Sequence, residues 1–150
     1  MLFLFIVLLD QLTKAIVVKT MVPGQTVSLI QDVFHLTYVL NPGAAFGILS
    51  NQRIFLLLIG AVLIVVTAYF YPMLKKASLC LQVGASMILS GAVANLIDRI
   101  QTGYVVDFLD FRIWPVFNIA DIAIVSGMVL MVYTIIFRLD ESTVKIRRVR

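Results

Sequence analysis

The sequence has little charge, one cysteine and one histidine. Of its 150 residues, 13% are charged. A single cysteine excludes a disulfide framework and a multi-cysteine metal site. Without a second histidine or a reactive cysteine, a zinc site or a Cys-His nucleophile has little support. The chain is also too apolar for intrinsic disorder, which requires low hydrophobicity and high net charge.

Apolar residues make up 61% of the chain, and its mean hydropathy is +1.04. Ordinary soluble domains are about 45–50% apolar. A soluble fold of this size could not hide so much apolar surface, and we therefore predict an integral membrane protein. The net charge is +4, with five basic side chains in the last 13 residues. This basic tail, residues 138–150, favours contact with anionic lipid, and we expect no nucleic-acid partner.

We predict a single all-α membrane domain, residues 1–150, built as a bundle of four transmembrane helices. A span needs about 20 apolar residues, and the candidate spans are about 1–18, 54–74, 77–97 and 116–137. The first is interrupted by Asp10 and Lys14, and a cleaved signal peptide is the alternative interpretation of this segment. Basic residues in the 73–77 turn and in the tail place both termini in the cytoplasm.

The two long connections then face outward. Residues 24–50 contain two stretches rich in β-branched and aromatic residues, 26–30 and 33–40, separated by Gln31 and Asp32. This pattern predicts a small β-hairpin. The second outer connection follows the third span and leads to the fourth, and it contains Asp107. Tyr104 and Trp114 fall at this boundary, where aromatic belts form.

Ionisable side chains are costly within a span and usually face a cavity or a partner. Here they gather at the predicted outer boundary of the bilayer. Asp10 and Lys14 are four residues apart and can pair. The others lie at the end of the third span, in the connection, and at the start of the fourth span: Asn95, Asp98, Arg99, Asp107, Asn118 and Asp121. The spacing therefore predicts a polar site at one membrane face.

Two aspartates that share a proton could act as a hydrolase without any cofactor, because the ionised one takes a proton from water while the protonated one donates to the substrate carbonyl. Asp107 and Asp121 are the best placed pair. Asp98 is the rival, although an ion pair with its neighbour Arg99 would keep it charged. From spacing alone, a structural or ion-binding role for paired aspartates stays open. We expect no bound metal and no cofactor.

Five blocks of the sequence, in order, resemble the lipoprotein signal peptidase (signal peptidase II) family. They are DQLTK at 10–14, NPGAAFG at 41–47, GAVANLIDR at 91–99, GYVVDF at 103–108 and FNIAD at 117–121. The resemblance implies an aspartic endopeptidase of the bacterial cytoplasmic membrane that cleaves prolipoproteins before a diacylglyceryl-modified cysteine. It implies that Asp107 and Asp121 are catalytic. It assigns substrate binding or support to nine residues: Asp10, Lys14, Asn41, Gly43, Asn95, Asp98, Arg99, Asn118 and Ala120.

The resemblance further implies that residues 24–50 form a small β-sheet that holds the lipidated peptide. The expected partners are lipid-modified precursors and membrane lipid, and we expect the chain to act as a monomer. Two other functions remain open from the residues themselves. A small transporter would place polar residues at mid-membrane and usually carries an internal repeat, and neither is evident. A non-catalytic lipid-binding protein would keep its function after Asp107→Asn.

Overall fold

The computed structural model describes residues 1–43 and 52–147, with side chains up to residue 137. Along these residues it contains four helices and three strands. In chain order they are α1 (Leu2–Thr20), β1 (Thr26–Ile30), β2 (Phe34–Asn41), α2 (Arg53–Leu74), α3 (Leu79–Gln101), β3 (Val105–Asp110) and α4 (Ile119–Arg147). The prediction of a mostly helical chain with a small β segment is confirmed. Residues 44–50 of the predicted β segment and the side chains of the basic tail lie outside the described part.

Three of the described helices are long and apolar enough to cross a membrane: Arg53–Leu74, Leu79–Gln101 and Ile119–Phe137. They correspond to the predicted spans 54–74, 77–97 and 116–137. α3 continues to Gln101, so that Asp98 and Arg99 lie in its last turns and not beyond its end. α1 contains 19 residues. Its sequence includes Asp10 and Lys14, whose side chains point into the bundle and are almost fully buried.

α3 and α4 pack closely because glycines line their contact. A Cβ atom on Gly127 would lie 2.7 Å from the carbonyl oxygen of Gly84, and one on Gly84 would lie 2.9 Å from that of Gly127. Nearer the site, a Cβ on Gly91 would collide with the carbonyl oxygen of Ala120. Small residues let the backbones of membrane helices approach in this way. The close approach places the first turn of α4 beside the last turns of α3.

The sheet has the order β1-β2-β3, with both pairs antiparallel. The predicted hairpin is confirmed as β1 and β2. Asp107 lies in the connection between the third and fourth spans, as predicted, but this connection contains a strand that the sequence did not indicate, β3, on which Asp107 lies opposite Val39. Residues 105–108 of β3 are all buried. A strand buried on both faces shows no alternation of polar and apolar residues, which is the pattern that marks an exposed strand.

A small apolar core fixes the sheet to the end of the bundle. Val17 of α1 packs with Tyr38 of β2 and with Val106 and Phe108 of β3. Val17 lies in the C-terminal half of α1, and β3 follows directly after α3. The sheet therefore covers the end of the bundle at which α1 and α3 finish and α4 begins.

Candidate active site

The ammonium group of Lys14 is the centre of a buried polar cluster at this end of the bundle. Its Nζ lies 2.7 Å from Oδ2 of Asp10 and 2.8 Å from Oδ2 of Asp98. It also donates a hydrogen bond to Oδ1 of Asn95 at 2.9 Å. Because an ammonium group has three hydrogens, these three partners satisfy it completely. The predicted pairing of Asp10 with Lys14 is confirmed, and Lys14 also connects α1 to α3.

Asp10 connects α1 to α4 as well. Its Oδ1 accepts a hydrogen bond from the backbone N–H of Ala120 at 2.8 Å. Ala120 lies in the first turn of α4, where backbone N–H groups have no partner inside the helix and the helix dipole favours a negative charge. Asp10 is 0% exposed, so this carboxylate serves as a buried cap supplied by another helix. Ala120 itself is fully buried because α3 packs on it at Gly91.

The first turn of α4 also fixes the position of Asp121. Oδ1 of Asn118 accepts a hydrogen bond from the backbone N–H of Asp121 at 2.9 Å, and Oδ2 of Asp121 accepts one from the backbone N–H of Asn118 at 3.2 Å. This reciprocal pair is a capping box, in which the residue before the helix and the third helical residue cap one another. The capping box holds the Asp121 side chain at the helix start and leaves its Oδ1 for another partner.

The amide side chains of Asn95 and Asn118 link Asp107 to Asp121. Nδ2 of Asn118 donates to Oδ1 of Asp107 at 2.7 Å and to Oδ1 of Asn95 at 3.1 Å. Nδ2 of Asn95 in turn donates to Oδ1 of Asp121 at 2.9 Å. The two aspartates, 14 positions apart in the sequence, are therefore held by two asparagines that contact each other directly.

Asp107 is 2% exposed, and both of its oxygens accept hydrogen bonds. Asn118 contacts Oδ1, and Nδ2 of Asn41 on β2 donates to Oδ2 at 2.9 Å. Burial of the carboxylate and the negative charge of Asp121 raise the pKa of Asp107 to about 7, while the hydrogen bonds from Asn41 and Asn118 act in the opposite direction. At neutral pH this carboxyl group can therefore exist in either protonation state, as general acid–base chemistry requires.

The predicted ion pair between Asp98 and Arg99 is wrong. Asp98 pairs with Lys14 and accepts a further hydrogen bond from Nε2 of Gln11 at 2.8 Å. Arg99 points the other way, because successive residues of a helix lie on different faces, and its Nη2 donates to the carbonyl oxygen of Gly43 at 2.7 Å. Its guanidinium also interacts electrostatically with the carboxyl groups of Asp121 and Asp107. Asp98 thus belongs to the lysine cluster, and Arg99 faces the pair of aspartates.

Gly43 joins the site through its backbone. Its N–H donates to Oδ1 of Asn41 at 2.9 Å, while its carbonyl oxygen accepts from Arg99. With these contacts the structure brings together every residue expected at the site: Asp10, Lys14, Asn41, Gly43, Asn95, Asp98, Arg99, Asp107, Asn118, Ala120 and Asp121. Their roles in catalysis and substrate binding stay a prediction.

Two residues at this end of the bundle were not expected. Gln11 donates to Asp98 and to the carbonyl oxygen of Ala94, and its place inside the DQLTK block was a signal that could have identified it. Arg53, the first residue of α2, donates to the carbonyl oxygens of Arg99 and Ile100, each at 3.0 Å. These carbonyls at the end of α3 would otherwise lack partners. No sequence pattern indicated this contact.

A second carboxylate of β3, Asp110, lies outside this network. It accepts hydrogen bonds from Thr37 Oγ1 at 2.6 Å and from the backbone N–H of Arg112 at 2.9 Å, and it lies opposite His35 on β2. Burial alone would raise the pKa of Asp110, but these hydrogen bonds and the charge of Arg112 outweigh it and hold that pKa below its ordinary value. Within residues 1–43 and 52–137, no three His, Cys, Asp or Glu side chains come close enough to hold a metal ion.

Known proteins similar to this chain agree with the sequence resemblance. A family model described as signal peptidase (SPase) II matches residues 2–137. A lipoprotein signal peptidase of Halothermothrix orenii is 48% identical over 130 residues, which cover 86% of this chain and 88% of that protein. A lipoprotein signal peptidase of Clostridioides difficile is 43% identical over 148 residues, which cover 95% and 99% of the two chains.

Among solved structures, a bacterial membrane enzyme superimposes on this chain with a TM-score of 0.88 at 36% sequence identity. The match covers 93% of this chain and 88% of that one. The family resemblance inferred from the five sequence blocks is thereby confirmed. Because the family model spans residues 2–137 and the relatives align over most of their length, the chain belongs to the signal peptidase II family.

Proposed function

We propose that this chain removes signal peptides from prolipoproteins, cleaving before a diacylglyceryl-modified cysteine, with Asp107 and Asp121 as the catalytic pair. Membership of the signal peptidase II family makes the chain an aspartic peptidase that processes lipoprotein precursors. The assignment of Asp107 and Asp121 as the catalytic pair rests on one observation. Asn95 and Asn118 contact each other, and each of them hydrogen-bonds to one of the two aspartates.

In the proposed reaction one aspartate takes a proton from water as the water attacks the scissile carbonyl. The other aspartate donates a proton to the carbonyl oxygen, which gives a tetrahedral diol. The first aspartate then passes its proton to the amide nitrogen, the C–N bond breaks, and the second aspartate takes a proton from a hydroxyl group as the new carboxyl group forms. A pKa of about 7 for Asp107 allows it to gain and lose a proton at neutral pH. The protons move as those of a coupled pair, and every step uses only carboxyl groups and water.

The neighbouring groups support this chemistry in different ways. Asn41 and Asn118 fix both oxygens of Asp107, so that the carboxyl group is already oriented before substrate binds. Arg99 brings a positive charge beside the two aspartates, and it is held by the Gly43 carbonyl. Lys14, Asp10 and Asp98 hold α1, α3 and α4 together behind the pair.

We further propose that α1 is a fourth membrane span in a single membrane domain. The charged side chains of Asp10 and Lys14 are buried against α3 and α4. Its outward face is apolar and exposed, with Leu4 and Leu8 each more than half exposed. A helix that turns its charges inward and its leucines outward suits a lipid environment. A helix of 19 residues is also long enough for a span.

With four spans, both termini lie on the cytoplasmic side and the site lies near the outer face of the bacterial cytoplasmic membrane. The basic α2–α3 turn, with Lys75 and Lys76, is at the opposite end of the bundle from the aspartates, which fits the excess of positive charge on cytoplasmic segments. A diacylglyceryl cysteine keeps its chains in the bilayer, and its peptide bond then lies at the depth of the site. The described residues of a single chain supply both aspartates and their hydrogen-bond partners, so the proposed chemistry needs no second copy.

The direct test is cleavage of two matched precursors in detergent micelles. One precursor carries diacylglycerol on its cysteine and the other does not. We expect the purified chain to cleave the lipidated form before the modified cysteine, as read by mass spectrometry of the product, and to leave the unmodified form largely intact. Equal turnover of both forms would contradict the proposed role of the lipid, and cleavage at another bond would contradict the proposed specificity.

A further inference from the structure

A second feature of the molecule lies at the end of the bundle away from the aspartates. A groove with a volume of about 440 Å³ runs between α2 and α3 and reaches Met131 of α4. This volume falls within the range of about 300–1,000 Å³ that is usual for small-molecule sites. None of the residues assigned to the active site lines the groove.

The side chains that line the groove offer no free hydrogen-bond donor to a ligand. Thr67 is the one side chain in its lining with a polar group, and its Oγ1 already donates to the carbonyl oxygen of Leu63 at 2.8 Å. Small side chains such as Ala77 and Ala85 leave the space open on the α3 side. Because the groove lies along helices long enough to span a membrane, a flexible hydrocarbon chain matches both its apolar character and its surroundings.

The mouth of the groove is positively charged. Met73, Leu74 and Ala77 line its end, and the two residues between them in the sequence are Lys75 and Lys76, both exposed. From residue 54 to residue 97 the sequence contains no other charged side chain. The Nζ of Lys75 lies 5.8 Å from the centre of the Tyr71 ring, a cation–π arrangement that keeps this ammonium group at the end of α2.

We propose that this groove binds one acyl chain of an anionic glycerophospholipid whose phosphate headgroup pairs with Lys75 and Lys76. An apolar groove that ends at two lysines matches a molecule with a hydrocarbon tail and a negative head. Two exposed lysines at the mouth of the groove favour an anionic headgroup over a zwitterionic one.

Binding of two lipids with identical chains tests the proposal. The delipidated wild-type chain in detergent is titrated with 1-palmitoyl-2-oleoyl phosphatidylglycerol or with the corresponding phosphatidylcholine, and bound lipid is counted by native mass spectrometry. We expect one tightly bound phosphatidylglycerol and weaker binding of phosphatidylcholine, with a preference of about fivefold for each lysine. Equal affinity for the two lipids would overturn the headgroup assignment.

Variants separate the headgroup contact from the groove. Lys75→Gln with Lys76→Gln should remove the preference for phosphatidylglycerol. The control is Lys19→Gln with Arg112→Gln, which removes two exposed positive charges that lie outside the groove. This control should keep the preference for phosphatidylglycerol. An equal loss in both double variants would indicate non-specific attraction and contradict the proposal.

Filling the groove tests the acyl-chain contact. Ala85→Phe and Ala77→Phe each place a ring in the groove and should lose binding of both lipids by at least about tenfold. Ala77 lies in the turn between α2 and α3, so its variant tests the groove if Ala85→Phe does not fold. If a variant keeps wild-type helix content by circular dichroism and still binds phosphatidylglycerol with wild-type affinity, the assignment of the groove is wrong.

Discussion

Asn95 and Asn118 hydrogen-bond to each other through their side-chain amides, with Nδ2 of Asn118 3.1 Å from Oδ1 of Asn95. Asn95 also holds Asp121, and Asn118 also holds Asp107. One asparagine comes from α3 and the other precedes α4, so the packing of these two helices sets how the carboxyl groups face each other. The stability of the α3–α4 contact and the geometry of the site are therefore linked.

Gly127→Ala should destabilise the protein by about 1–3 kcal/mol, because the added Cβ would lie 2.7 Å from the backbone carbonyl oxygen of Gly84 and the helices would have to move apart. Gly60→Ala is the matched control. Its Cβ would meet the end of the flexible Leu96 side chain, which can turn away. Denaturant titration in micelles measures both variants. A Gly60 variant as unstable as the Gly127 variant would contradict this account of the α3–α4 contact.

Lys14→Met should destabilise the fold by about 3–5 kcal/mol, because it leaves the buried carboxylates of Asp10 and Asp98 without their positive partner. Lys19→Met, in the exposed last turn of the same helix, should change stability by no more than about 0.5 kcal/mol. Unfolding followed by circular dichroism compares the two. A small effect of Lys14→Met would mean that the cluster does not depend on its central cation.

Asn41→Ala should move the pH profile of kcat/KM toward higher pH. The hydrogen bond from Asn41 favours the ionised form of Asp107, so its loss raises a pKa that already lies at about 7. The shift is measured as the apparent pKa of the coupled pair. Thr37→Val is the control, since Thr37 lies on the same strand but donates to Asp110, and its profile should match that of the wild type.

Asp107→Asn and Asp110→Asn should change the pH dependence of stability in opposite directions. The pKa of Asp107 rises on folding from 3.8 to about 7, so the folded state holds this proton more tightly and wild-type stability falls as pH rises through that range. The pKa of Asp110 is lowered by folding, so its carboxylate adds stability above pH 3.8 that is lost as pH falls.

Melting temperatures in micelles test this difference, each carboxyl group in its own pH window. Relative to wild type, Asp107→Asn should gain stability on going from about pH 4 to about pH 8. Asp110→Asn should lose stability relative to wild type on going from about pH 2 to about pH 5. If stability relative to wild type changed in the same direction in both variants, the pKa values of Asp107 and Asp110 would not be shifted in opposite directions, which would contradict this account.

Much of the candidate site could be predicted from the sequence, because a polar side chain within a membrane span is costly unless it has a polar partner. Charged and amide side chains near the ends of the apolar spans were therefore expected to contact one another. The structure shows such contacts among Asp10, Lys14, Asn95, Asn118 and Asp121. The α2, α3 and α4 helices followed from the lengths of apolar runs. The hairpin followed from the turn residues between two stretches rich in β-branched residues.

Other contacts could not be predicted because they depend on packing in three dimensions. The strand β3 carries no alternating pattern, since its residues 105–108 are all buried. Arg99 is next to Asp98 in sequence, yet the helix turns the two side chains apart and Lys14, 84 positions away, becomes the partner of Asp98. The contact of Asp10 with the N–H of Ala120 follows only once α1 lies beside α4.

The central claim, that Asp107 and Asp121 together activate water, is tested most directly by the rate of cleavage of a diacylglyceryl precursor by single aspartate variants. We expect Asp107→Asn and Asp121→Asn each to lower kcat by about 10²–10⁴-fold, while the protein keeps wild-type helix content. Asp110→Asn, a buried carboxylate on the same strand as Asp107 but outside the network, should cleave at close to the wild-type rate. Near-wild-type cleavage by a folded Asp107 or Asp121 variant would contradict the catalytic pair.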